Sequence, residues 1–137
     1  MGSQKFPFTS FDAYGPSRPL VPFDFPKGKN VLCLVDSGAS TSIMSIGFMR
    51  HEEAEFRQRY SHNFAEGICG DNCLEILGIS KPLEVEVKGI PKPIYVEFTI
   101  IPDKHKVYTP IFGIDLFSKL NVCFGIEDGR LVTAIKD

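Results

Sequence analysis

The sequence predicts a mainly β domain of short antiparallel strands, a closed or sandwich-like barrel, with one medium and one short helix. Three observations carry that expectation. Leu83, Val85 and Val87 alternate with Glu84, Glu86 and Lys88, and Ile94, Val96, Phe98 and Ile100 alternate with Tyr95, Glu97, Thr99 and Ile101. A period of two gives a strand one buried and one outer face. The chain spreads 10 prolines and 12 glycines along its length, which suits short strands and turns better than a helix bundle. The apolar run Val31-Leu-Cys-Leu-Val35 stops at Asp36-Ser37-Gly38-Ala39, as a buried strand does where a glycine turns the backbone.

The elements follow in order. Residues 4–17 lack clear periodicity and read as an extended arm, so the chain divides into an N-terminal arm, 1–17, and a folded domain, 18–137. Met1-Gly2-Ser3 reads as an expression remnant. Arg18 to Phe25 alternates as a strand whose prolines confine it to an edge or to the start of a ladder. Pro26 to Asn30 is a turn, and Val31–Val35 returns as the second strand of a hairpin. The hydroxylated run Ser40-Thr41-Ser42 bonds to nearby backbone and fixes a loop. A helix is expected over 46–60, capped by Ser45, with Ile46, Met49, Glu53, Phe56 and Tyr60 on one face and His51, Glu52, Glu55, Arg57 and Arg59 solvated on the other. Residues 64–78 read as a hairpin with Gly67, Gly70, Asp71 and Asn72 at its turn. Strands follow over 81–88 and 94–101, then a polar loop in which His105 faces solvent. Ile111–Phe112 ends at Gly113, and a short helix starts with Asp115 near its N-terminus, where negative charge suits the dipole. Residues 122–126 and 131–135 flank a Gly129 turn and close the domain as a hairpin.

The 137 residues allow one domain with a real core. Apolar residues make up 43% and charged residues 23%, close to average usage. A net charge of -2 gives no pull towards nucleic acid or an anionic membrane. No apolar stretch approaches a membrane span and no basic-then-apolar leader is present. The four cysteines are therefore expected as reduced thiols in a cytoplasmic, non-secreted protein. Cys33 and Cys123 read as small core residues. Cys69 and Cys73, with His62 nearby, admit a zinc reading, but a full ligand set and a common spacing are missing; two exposed, oxidisable thiols is the preferred one.

Asp36 concentrates the chemistry. A carboxylate at the end of a core strand is costly to desolvate and wants a partner or a purpose, although a plain Asp-Ser-Gly turn has the same residues. Two further features stand with it: the glycine-containing hairpin, and Ile111-Phe112-Gly113-Ile114-Asp115-Leu116 about seventy-five residues after Asp36. In that order and spacing they resemble the retropepsins, the single-lobe aspartic proteases of retroviruses and LTR retrotransposons, over roughly residues 18–135. Arg18-Pro-Leu-Val21 looks like the opening strand of the retroviral enzymes. The long segment after Ser40 and the Ile76-Leu77-Gly78 element look more like the gypsy-type branch and its domesticated relatives. The chain departs from the pattern at Ser37, where the family more often has Thr, at Phe112, where it usually has Leu, and in a hairpin tip rich in Cys and acid.

The resemblance implies a retropepsin-like acid protease fold and an aspartic endopeptidase without metal or cofactor. Asp36 would be the catalytic acid. Ser37 would bond across a dimer axis, Gly38 would permit the turn and accept from substrate backbone, and Ala39 would keep the site small. The flap, around Glu66, Gly67, Ile68, Cys69 and Gly70, would pair with an extended peptide. Phe112 and Ile114 would wall the pockets beside the scissile bond, and Gly113 would let the short helix pack on the active loop. Residues 4–10 and 131–135 would interleave in a dimer sheet.

This chemistry needs two carboxylates sharing a proton, and the chain has one Asp-Ser-Gly. Asp115 follows its glycine instead of preceding it, and Asp12, Asp71, Asp103 and Asp128 lie in arms or turns. The second carboxylate is thus expected from a second copy in a two-fold homodimer. The expected partners are that copy and an extended peptide within a Gag-Pol-like polyprotein or a cellular protein, with no nucleic acid and no membrane; action within retroelement particles fits the same reading. Two other readings compete: a weakly active or inactive dimerisation or peptide-binding module of the same fold, and an unrelated small β-barrel in which Asp36→Ala is tolerated.

Overall fold

Hydrophobic alternation places the first strands. A computed structural model of the chain describes residues 2–60 and 74–137. Leu20–Asp24 (β2) and Val31–Val35 (β3) form the expected hairpin, antiparallel from Leu20↔Leu34 to Phe23↔Val31. Val21, Phe23, Cys33 and Val35 point inward and are fully buried. Ile43–Ser45 (β4) leads into a helix, Ile46–His51 (α1), whose first turn is capped by Ser45 Oγ accepting from the Phe48 N–H at 3.1 Å.

That helix ends nine residues short of the expected span and gives way to a strand, Phe56–Arg59 (β5). Two residues stop it. Glu52, placed on the solvated face by the pattern, is buried; its carboxylate accepts from the Lys27 and Gly28 N–H groups, each at 2.8 Å. Glu53 then takes a left-handed conformation, φ 56°, which ends a right-handed helix. His51 is exposed, as expected.

Gly78–Ser80 (β6) pairs with β5. The tip of the expected 64–78 hairpin, with Glu66, Gly67, Ile68, Cys69 and Gly70, lies outside the described residues, as do His62 and Cys73. Leu83–Val87 (β7) alternates as predicted and pairs with β2 and with Ile94–Val96 (β8). The single strand expected over 94–101 is two strands. At Phe98 the chain leaves β7, its N–H donating to the buried Ser80 Oγ at 2.9 Å, and Thr99–Ile101 (β9) runs between β6 and β4. Val96 and Phe98 both stay in the core, so the burial pattern hides the break. His105, expected in solvent, is half-buried and accepts the Glu75 N–H at 3.1 Å through Nε2.

Ile111–Phe112 (β10) lies between β3 and β4, and Ile114–Phe117 (α2) follows directly. The nine strands run in the order β5-β6-β9-β4-β10-β3-β2-β7-β8 and curl as a half-barrel. Its interior holds an aromatic cluster: Phe112 stacks on Phe23 with centroids 4.1 Å apart and meets Phe98 edge-on at 5.5 Å.

Asn121–Glu127 (β11) and Arg130–Lys136 (β12) form the closing hairpin. Ser3–Pro7 (β1), from the arm, pairs antiparallel with β12 from Ser3↔Lys136 to Pro7↔Val132. Both edges of β12 are thus occupied within one chain, by β1 and β11, so residues 131–135 keep no edge for the interleaving expected of them. Cys123, expected in the core, sits exposed on the outer face of β11; the inward neighbour is Val122. None of the described helices is long and apolar enough to cross a membrane.

Candidate active site

Strand alternation decides which way Asp36 points. Cys33 and Val35 face the core, so Leu34 and Asp36 share the opposite face. The parallel pairing of β3 with β10 sets Leu34 beside Ile111 and Val35 beside Phe112, and it continues one step as the Asp36 N–H donates to the Phe112 carbonyl at 2.8 Å. Beyond this point the chain turns tightly. Asp36 Oδ1 accepts the Gly38 N–H at 2.9 Å, and its carbonyl accepts the Ala39 N–H at 3.1 Å. The carboxylate is half-buried, with Ser37 and Gly38 exposed beside it.

A second loop braces the first. Gly113 passes so close that a Cβ on it would sit 2.6 Å from the Ala39 carbonyl oxygen and 2.7 Å from that of Thr41. Only glycine fits there. The Ile114 N–H donates to the Ala39 carbonyl at 2.9 Å, and the Gly113 N–H donates to Ser42 Oγ at 3.1 Å. The Ser42 hydroxyl in turn donates to Asp115 Oδ1 at 2.7 Å, while the Ser42 N–H reaches Asp115 Oδ2 at 3.2 Å. Asp115 also accepts the Leu116 N–H at 3.1 Å. Both its oxygens are engaged in holding the two loops together, which makes it a brace and leaves it unsuited as a second acid. Its position near the start of α2 is as expected; its bond to the fully buried Ser42 is not, since the hydroxylated run predicts bonds to nearby backbone.

The face that carries Asp36 also carries a cavity of about 690 Å³. Leu34, Ile111, Tyr108 and Phe11 line it, together with the charged residues Asp12, Arg18 and Lys106. Phe112, expected to wall such a pocket, is fully buried in the aromatic cluster instead, because it alternates with Ile111. Ile114 is 49% exposed, next to Ala39. Leu34 and Ile111 were missed by the sequence reading. The signal was present: Leu34 is two residues before Asp36 and must share its face.

The fold has known counterparts. The retroviral protease-like domain of Ddi1 from Leishmania major superposes with a TM-score of 0.58 at 22% identity, covering 83% of this chain and 91% of that one. A retropepsin-like aspartic protease from Rickettsia conorii superposes with a TM-score of 0.56 at 16% identity, covering 97% of this chain and 90% of its own. The fold is that of the retropepsins. No protein-family model matches the chain, and no curated protein matches it in sequence.

Within the retropepsin fold, Asp36, Ser37, Gly38 and Ala39 form one loop, and Gly113 and Ile114 meet it from the second. The flap residues Glu66 to Gly70 are outside the described residues. Among those described, no group of three or more His, Cys, Asp and Glu could hold a metal ion. Cys33, behind the Asp36 strand, is a core thiol whose pKa burial pushes well up, so it stays protonated and inert.

Proposed function

We propose that the chain is an aspartic endopeptidase, active as a two-fold homodimer in which each subunit supplies one Asp36. One observation supports this most: the single Asp-Ser-Gly carboxylate stands at the end of a core strand, half-exposed, on the same face as an apolar cavity, while the other nearby carboxylate, Asp115, is engaged as a brace.

In the dimer two Asp36 carboxyl groups meet, and like charges about 3 Å apart cannot both ionise, so the pair shares one proton. The ionised member takes a proton from a water whose oxygen attacks the peptide carbonyl carbon. The protonated member gives its proton to the carbonyl oxygen. Collapse of the resulting diol breaks the C–N bond, with a proton delivered to the leaving nitrogen. The Gly38 N–H holds Asp36 in position for this, and the Ser37 hydroxyl braces the paired loops across the dimer axis. The substrate is a retroelement polyprotein or, in a domesticated relative, a cellular protein, cut in the cytoplasm or in particles assembled there.

The test is cleavage of a mixed peptide library between pH 4 and 7, read by mass spectrometry, with Asp36→Asn alongside. Cleavage that disappears in Asp36→Asn and rises faster than linearly with protein concentration is expected. Equal cleavage by the variant would sink the assignment of Asp36. A folded protein that cuts nothing at any concentration would favour a peptide-binding module of the same fold.

A further inference from the structure

The N-terminal loop lies beside the proposed catalytic strand. Thr9 and Arg18 exchange backbone hydrogen bonds, the Thr9 N–H donating at 3.0 Å and the Arg18 N–H at 2.6 Å, which closes residues 10–17 into a loop. Inside it, the Asp12 carboxylate accepts the Tyr14 N–H at 2.9 Å and the Asp12 carbonyl accepts the Gly15 N–H at 3.4 Å. The loop exit is tied to the catalytic strand, where the Val35 N–H donates to the Pro19 carbonyl at 3.0 Å. Compact loops with closed ends often carry function. This one brings Phe11 into the lining of the cavity that Leu34 and Ile111 also line.

Tyr108 lines the same cavity, and its neighbour Thr109 is fastened to the catalytic strand by a hydroxyl bond to the Leu32 carbonyl. Two aromatic rings, 56% and 79% exposed, therefore share a cavity with two aliphatic side chains, each ring held by an anchored segment. Exposed rings on fixed supports are poor economy for stability alone, and they suit contact with a further apolar group.

We propose that the loop from Thr9 to Arg18 is a specificity element, with Phe11 and Tyr108 selecting a large, preferably aromatic, substrate side chain beside the scissile bond. This rests on the reading of Asp36 as the catalytic carboxylate. The ligand chemistry is that of one apolar side chain on an extended peptide. Its ring enters between Phe11 and Tyr108, and its backbone runs past Asp36.

The test compares wild type, Phe11→Ala, Tyr108→Ala and Tyr14→Ala. Tyr14 is in the same loop but is 99% exposed and does not line the cavity, so it is the control. On peptides with Phe or Tyr beside the cut, Phe11→Ala and Tyr108→Ala should each lower kcat/KM about tenfold, and on peptides with Ala there by less than about twofold. Tyr14→Ala should change neither. A cleavage profile unchanged in Phe11→Ala and Tyr108→Ala overturns the proposal while leaving the protease reading intact.

A binding measurement separates the two readings. In 15N-labelled Asp36→Asn protein, a capped Ala-Ala-Phe-Ala-Ala peptide should move the amide signals of Leu34, Ile111 and the Thr9–Arg18 loop. The all-Ala peptide should not, and adding Phe11→Ala should abolish the shifts. Shifts without any cleavage by the wild type would keep the pocket and remove the protease; no shifts would remove the pocket.

Discussion

Gly113 has the least freedom of any residue at the site. Its missing side chain lets the start of α2 lie against the backbone of the Asp36 loop, where a Cβ would meet carbonyl oxygens at 2.6 and 2.7 Å. Backbone cannot swing aside as a flexible side chain can, so the two loops must separate. Gly113→Ala should cost about 3 kcal/mol, at the upper end of overpacking effects, and should reduce cleavage further by displacing Asp36. Gly125, in β11, has nothing within 4 Å of its would-be Cβ. Gly125→Ala is the matched control and should leave the urea midpoint unchanged or raise it. Equal midpoints for the two variants would refute the close approach. At this scale the sequence was informative where the signal is local. Asp36-Ser37-Gly38 marks its own turn, and Gly113 marks a close contact. The Ser42–Asp115 bond joins residues 73 apart, and nothing in a run of small hydroxylated residues says which distant carboxylate will find it. The resemblance points to Phe112 and Ile114 as wall residues, whereas the period of two in β10 sends Phe112 inward and Ile111 outward.

The elements show how a correct local pattern can be overruled. The helix start was legible because Ser45 is an ordinary cap. Its end was not, because Glu52 matches a solvated helix position by composition and is buried by tertiary demand. The turn between β2 and β3 leaves the Lys27 and Gly28 N–H groups directed inward, and the Glu52 carboxylate takes both at 2.8 Å. That contact latches α1 to the first hairpin and ends the helix. Glu52→Ala would leave two donors without their acceptor, for a loss of about 3 kcal/mol. Glu52→Gln keeps one acceptor oxygen and should lose about half as much. Chemical denaturation of the three proteins, with the m-value held equal, checks the order. An Ala variant as stable as wild type would mean that water replaces the carboxylate. The split of the 94–101 strand has the same kind of origin. Alternation continues unbroken through Val96 and Phe98 while the pairing partner changes from β7 to β6 and β4. Burial periodicity reports the face of a strand and is silent on its neighbours.

At the scale of the molecule, the proposed reaction needs two carboxylates, and the chain has one Asp-Ser-Gly. Among the described residues, the other carboxylate beside the Asp36 loop is Asp115, and it is bound on both oxygens. This makes a prediction about mixtures. Wild type is held at a concentration where cleavage per chain has stopped rising, and Asp36→Asn is added in tenfold excess. If subunits exchange, nearly every wild-type chain is then paired with a variant chain. A two-fold site with one Asp36 is missing half its dyad, so activity should fall about tenfold, following the statistical loss of wild-type pairs. Dilution does not explain such a fall, because the wild-type concentration is constant. Competition for substrate is tested separately by adding the variant after saturating with peptide. A chain that carried a complete site would ignore the variant altogether. Cleavage unaffected by excess Asp36→Asn, with subunit exchange confirmed by differently labelled chains, would mean that the second acid lies within one chain. The homodimer would then have to be abandoned even if Asp36 proved essential.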